Sequence, residues 1–110
     1  MRLPNNERCR VDREKITGYL LCAQHPDGFS KAAFFALFGF TADRWQQLAE
    51  SLRIHGREGS VVRKSVSEHG RRYTVEGALS TPSGRTPTIH SVWIVEKDER
   101  VPRLITAYPA

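Results

Sequence analysis

Apolar positions fall into two regimes, a helical period up to Gly56 and a strand-like alternation from Ser60. Asp12 suits a helix N-cap, and Ile16, Tyr19, Leu20 and Ala23 follow it as one stripe. That helix should stop before His25-Pro26-Asp27-Gly28, because the residue ahead of a proline resists helical geometry. Ser30 suits the cap of a second, short helix running through Phe38 and closed by Gly39. Its Phe34, Phe35, Leu37 and Phe38 are too apolar to be left in water. Thr41 suits the cap of a third helix, with Asp43 in its first turn. Trp45, Leu48, Ala49 and Leu52 keep i, i+3, i+4, i+7 spacing, and Gly56 marks its end.

Four strand-length segments follow, Val62 to Glu68, Arg72 to Leu79, Pro87 to Glu96 and Arg103 to Tyr108. The turn signals between them are His69-Gly70, Pro82-Ser83-Gly84 and Lys97-Asp98-Glu99. Short connections join antiparallel neighbours, so the segments predict a meander. The third carries apolar residues on both faces, as a central strand does. The expected fold is α+β, with three N-terminal helices packed on one face of a four-stranded antiparallel sheet. Residues 1–11 read as a flexible basic leader and residues 12–110 as a single compact α+β domain.

Composition narrows the class without naming a function. The 110 residues are 39% hydrophobic and 26% charged, which describes one ordinary globular domain. No apolar run is long enough to cross a membrane and no secretory signal opens the chain, so a cytoplasmic protein is expected. Cys9 and Cys22 form neither a C-x-x-C motif nor a zinc knuckle, and no metal or cofactor is expected. The net charge of +5 comes from thirteen Arg and four Lys against twelve acids. It favours a phosphate polymer or an acidic protein as partner.

Six basic residues against two acidic ones lie between Arg53 and Arg72, so most of the charge sits in one-fifth of the chain. Arg63 and Arg72 there are candidate phosphate contacts. The same stretch also reads as a solvated edge strand, since alternation puts Arg63 and Lys64 on opposite faces. P-loop, zinc-finger, RNP and dinucleotide signatures are absent.

Histidine is the side chain suited to proton exchange near neutral pH, and four are present. His25 lies in a loop leading to Lys31, a setting for phosphate binding or proton transfer, or equally for a turn residue bonded to its own backbone. His55 reads as a helix C-terminal residue, His69 as a solvated hairpin tip and His90 as a packed core histidine. On the last segment, Leu104, Thr106 and Tyr108 share one face by alternation. Thr106 and Tyr108 suit phosphate orientation as well as they suit a sheet residue and a core-edge aromatic.

The ordered run Lys15-Ile16-Thr17-Gly18-Tyr19-Leu20-Leu21, His25-Pro26-Asp27-Gly28-Phe29-Ser30-Lys31-Ala32 with Phe35, and Gly39-Phe40 resembles an uncharacterised bacterial family of about 110 residues. Tyr73-Thr74-Val75-Glu76-Gly77, Val92-Trp93-Ile94 and Pro102 to Pro109 extend the resemblance over nearly the whole chain. That family is a toxin-associated domain of unknown function. Its helices-then-sheet order and Thr-Ala-Tyr-Pro ending are similar to the barnase, EndoU, colicin D and RelE-type ribonucleases. The resemblance implies metal-independent cleavage of tRNA or mRNA, held in check by a cognate antitoxin. Lys15, His25 and Lys31 match the amino-terminal motif, and Thr106 and Tyr108 the terminal one.

The expected catalytic set is His25, which would exchange a proton, with Lys31 and Thr106. Lys15, Arg63, Arg72, Arg103 and Tyr108 form the expected RNA- and phosphate-binding set. The alternative is a non-catalytic binding module or inhibitor that docks on an acidic protein or a nucleic acid.

Overall fold

A computed structural model describes residues 1–110. A single 3-10 turn, Asn6–Arg8, precedes α1 (Arg13–Lys15), which runs directly into a π-helical turn, Ile16–Leu20. Then come α2 (Phe29–Leu37), a second 3-10 turn (Ala42–Arg44) and α3 (Trp45–Glu58). The strands are β1 (Ser60–Ser67), β2 (Gly70–Ala78), β3 (Thr88–Glu96) and β4 (Arg103–Pro109). They form one antiparallel sheet in the order β1-β2-β3-β4.

The class is therefore α+β with a four-stranded antiparallel sheet, but the expected layout of three N-terminal helices packed on one face is corrected. Only α3 lies along the middle strands, on β2 and β3. The three-residue α1 and the nine-residue α2 sit instead at the β4 edge. The first helix fails to propagate because β-branched Ile16 and Thr17 precede Gly18, all poor helix formers. The turn widens so that the Leu21 N–H reaches the Ile16 carbonyl at 2.8 Å, five residues back. With α2 displaced to the edge, Phe29 and Leu37 stay exposed. The third helix does not end at Gly56 but continues to Glu58.

Residues 1–11, expected to be a frayed leader, run as a strap from one side of the sheet to the other. The Val61 N–H donates to the Met1 carbonyl, and Arg10 bridges β4 in parallel at Arg103. Leu3, Cys9 and Val11 are buried in the main core. These three apolar positions hold an otherwise basic segment in place.

Alternation assigns the sheet faces. Tyr73, Val75, Ile89, Trp93, Leu104 and Ala107 point toward the helices and are buried. From α3, Leu48, Ala49, Leu52, His55 and Gly56 meet them. The centre of this contact is polar. The Trp93 indole N–H donates to Ser91 Oγ at 2.8 Å, and Ser91 Oγ lies 2.7 Å from His55 Nδ1. His55 Nε2 lies 3.0 Å and 3.2 Å from the Gly77 and Ile89 carbonyls. A carbonyl only accepts, so Nε2 carries the proton and Nδ1 accepts from the Ser91 hydroxyl. Every polar atom in the chain of bonds is satisfied. His55, not His90, is thus the packed core histidine.

Gly56 has a packing role rather than a terminating one. A Cβ built there would stand 2.5 Å from Trp93 Cζ2, inside van der Waals contact. Gly56→Ala should therefore cost roughly 1–3 kcal/mol of stability through overpacking, measured as a lower urea midpoint with unchanged slope.

Burial holds the His55 imidazole below its ordinary value of 6.5, reinforced by His90 and opposed by the two carbonyl hydrogen bonds. The unfolded chain takes up a proton at His55 that the folded chain refuses. The stability this contributes is present above about pH 6.5 and is lost as pH falls below it. Thermal melts from pH 7.5 to 5 should show a falling midpoint in the wild type and a shallower dependence in His55→Gln.

Candidate functional site

The loop between the π turn and α2 is shaped by His25. Its Nδ1 accepts the backbone N–H groups of Asp27 at 3.0 Å and Gly28 at 3.1 Å. Its carbonyl accepts the N–H groups of Gly28 and Phe29. Ser30, expected as the α2 cap, instead lies inside the helix; Gly28 holds the cap position, and the His25 carbonyl takes up the Phe29 N–H. Gly28 is required where the loop folds back, since a Cβ would clash with the Tyr19 carbonyl oxygen. Because the backbone N–H groups only donate, His25 in its neutral form carries its proton on Nε2. It presents a hydrogen-bond donor outward and holds its lone pair inward.

Tyr19 collects the rest. Its ring packs edge-on against His25 with centroids 4.9 Å apart. The ammonium groups of Lys15 and Lys31 lie 5.3 Å and 5.5 Å from the same ring. Lys15 reaches it from one turn earlier, and Lys31 from the first turn of α2, where its Nζ also donates to the Asp27 carbonyl at 3.2 Å. The Tyr19 hydroxyl lies 2.9 Å from Thr106 Oγ1 on β4. Four residues expected from the sequence, Lys15, His25, Lys31 and Thr106, therefore meet around one tyrosine. The sequence marks Tyr19 itself only as part of an apolar stripe. A tyrosine i+4 from a lysine on a helical turn was the available signal.

Thr106 joins this cluster to the sheet face that the helices leave open. By register, Arg63, Thr74, Val92 and Thr106 form one cross-strand row. Three strand spacings of about 4.8 Å put Arg63 and Thr106 about 14 Å apart. Arg72, Ile94 and Arg103 form the row on one side, and Glu76, His90 and Tyr108 the row on the other. Arg63 and Arg72 have no acidic partner. Arg103 pairs with Glu96, and this hydrogen-bonded guanidinium holds the Glu96 carboxyl below its ordinary range. Tyr108 packs edge-on against His90, with centroids 5.4 Å apart.

The basic stretch from Arg53 to Arg72 is divided rather than gathered into one groove. Arg53 pairs with Glu50 at 2.8 Å, and Lys64 lies over the Tyr73 ring on the helix side. The apolar neighbours Val92 and Ile94 predict a core position for His90. It is instead half-buried on the open face, with Nε2 2.8 Å from Glu76 Oε2. The signal for this pair was the shared parity of Glu76, His90 and Tyr108, legible only once the register is known. No group of three or more His, Cys, Asp or Glu side chains gathers as a metal site. No helix is long and apolar enough to cross a membrane.

Comparison with solved structures finds a chain of the contact-dependent growth inhibition toxin–immunity protein complex from Klebsiella pneumoniae 342. The TM-score is 0.74 at 22% identity, covering 94% of this chain and 95% of that one, and the likeness is one of fold. Comparison with curated proteins gives no match. A sequence-family profile matches residues 2–110, nearly the entire chain. The protein therefore belongs to the family described as Domain of unknown function (DUF6883).

Proposed function

We propose that the chain is a toxin domain that binds RNA on the open sheet face and cleaves it without a metal ion, and that a cognate protein neutralises it. The observation that carries this reading is the meeting of Lys15, His25, Lys31 and Thr106 around Tyr19, beside a face bearing unpaired Arg63 and Arg72. Two ammonium groups, an imidazole and two hydroxyls gather around one tyrosine. Such a set binds a phosphodiester and stabilises the extra negative charge of a phosphorane. The guanidinium groups about 14 Å away extend the contact along a polymer. The likeness in fold to a chain of a toxin–immunity complex supports the toxin assignment and a protein partner. The resemblance of the Thr-Ala-Tyr-Pro ending to barnase- and RelE-type ribonucleases supports RNA as substrate.

We read His25 as a donor rather than as the proton-exchanging group. Its Nδ1 lone pair is held by two backbone N–H groups, so it acts as a neutral donor to a phosphate oxygen. The same observation favours a second reading, a nucleic-acid binder without chemistry, because the loop histidine is not free to act as a base.

Induced expression in a bacterial host should arrest growth, and the purified protein should fragment total RNA on a gel. His25→Ala combined with Lys31→Ala should relieve the arrest and stop fragmentation. Intact RNA that nonetheless binds the wild type would establish the binder instead. Binding to a single-stranded RNA should weaken with salt, with a log–log slope near −3 if Lys15, Lys31, Arg63 and Arg72 each meet a phosphate, at about −0.7 per contact. Lys15→Ala with Arg72→Ala should reduce that slope by about 1.4, as read by fluorescence anisotropy.

A further inference from the structure

We propose that His90, held by Glu76, is the proton-accepting residue of this face. The inference rests on the RNA-cleavage reading and names a group that reading still needs. Removing the proton from a ribose 2′-hydroxyl requires a side chain with a free lone pair near the phosphate. His25 has none, because its Nδ1 already accepts from Asp27 and Gly28. His55 is buried with both ring nitrogens bonded. His69, at the β1–β2 turn, lies five residues or about 17 Å along the strand from the row that contains Thr106.

His90 meets the requirement. A carboxylate only accepts, so the neutral imidazole donates Nε2–H to Glu76 Oε2 at 2.8 Å. Nδ1 is left with the lone pair and has no partner in the protein. Glu76 fixes the tautomer and the ring orientation. The Tyr108 ring holds the imidazole from the other side, 5.4 Å away and nearly perpendicular at 84°. The titratable groups facing His90 are Glu76 from β2, Tyr108 from β4 and, beneath the sheet, His55 from α3.

Thr106 pairs with Val92 and Tyr108 with His90, so His90 and Thr106 are diagonal neighbours on one face, about 7–8 Å apart. The Tyr19 hydroxyl meets Thr106, the diagonal neighbour of His90, while the Tyr19 ring carries His25, Lys15 and Lys31. A phosphodiester bonded to these hydroxyls would have donors and cations on one flank and the lone pair of His90 on the other.

The step is a transesterification. His90 Nδ1 takes the 2′-hydroxyl proton as the 2′-oxygen–phosphorus bond forms and the bond from phosphorus to the 5′-oxygen breaks. The departing 5′-oxygen takes a proton from water, and the imidazolium returns its own to solvent. The products are a 2′,3′-cyclic phosphate and a 5′-hydroxyl, with no net change of protons or redox state.

Single-turnover cleavage of unfractionated bacterial tRNA and of a labelled single-stranded RNA oligonucleotide tests the assignment across pH 5 to 8. The wild-type rate should rise with pH along an acidic limb. His90→Gln keeps a side chain able to bond Glu76 but cannot titrate; it should lose 10²-fold or more in rate together with that limb. Glu76→Gln should slow cleavage, because the carboxylate that orients the imidazole is lost. Melting temperature and RNA affinity should stay close to wild type in both variants. Cleavage by His90→Gln within twofold of wild type, with the limb in place, overturns the inference and leaves the RNA-cleaving reading standing. Wild-type protein that binds these RNAs without cutting them overturns both.

Discussion

The bonds from Trp93 through Ser91 to His55, and on to the Gly77 and Ile89 carbonyls, fix the structure at its centre. Each neutral hydrogen bond contributes only about 1 kcal/mol net. Breaking one inside the core costs more, because the stranded partner has no water to turn to. The network therefore constrains geometry more than it adds stability. It locks the last turn of α3 over β2 and β3, and Gly56 lets the helix backbone rest against the Trp93 ring. With α3 held there, one face of the sheet is the core and the other carries polar and charged side chains around Val92 and Ile94.

That division shapes the candidate site. The open face draws Arg63, Arg72, Glu76, His90, Thr106 and Tyr108 from all four strands, because side chains two residues apart share a face. The amino-terminal contribution arrives by another route. The π turn places Tyr19 so that its hydroxyl meets Thr106, and the His25 loop folds back on the Tyr19 carbonyl through Gly28. Lys15 and Lys31 then lie near one ring although sixteen positions separate them in the chain. The strap of residues 1–11, bonded to β1 at one end and β4 at the other, ties the amino terminus across both edges of the sheet.

Two histidines exchanged their expected parts for reasons rooted in packing. His55 ends a helix and on sequence alone belongs near solvent beside the helix dipole. Its position one turn beyond Leu52 carries it inward, onto Ser91. His90 sits among apolar residues and looks buried, yet strand parity sets it opposite Ile89 and Ser91, on the face without helices. The neighbours that decide each environment come from elements 14 to 36 positions away.

Local pattern by itself determined much here: the switch from helical to strand period near Ser60, the meander order and the core stripe Leu48-Ala49-Leu52. These are short-range properties, set by periodicity, turn chemistry and side-chain charge. Tertiary structure alone decided which of them act together. It shortened the first helix, moved α2 to the edge of β4 and drew the basic leader into the core. It also made Tyr19 the meeting point, took the lone pair of His25 and paired His90 with Glu76. Each of those outcomes depends on strand register or on close packing between distant segments, and neither is written in the period of any single segment.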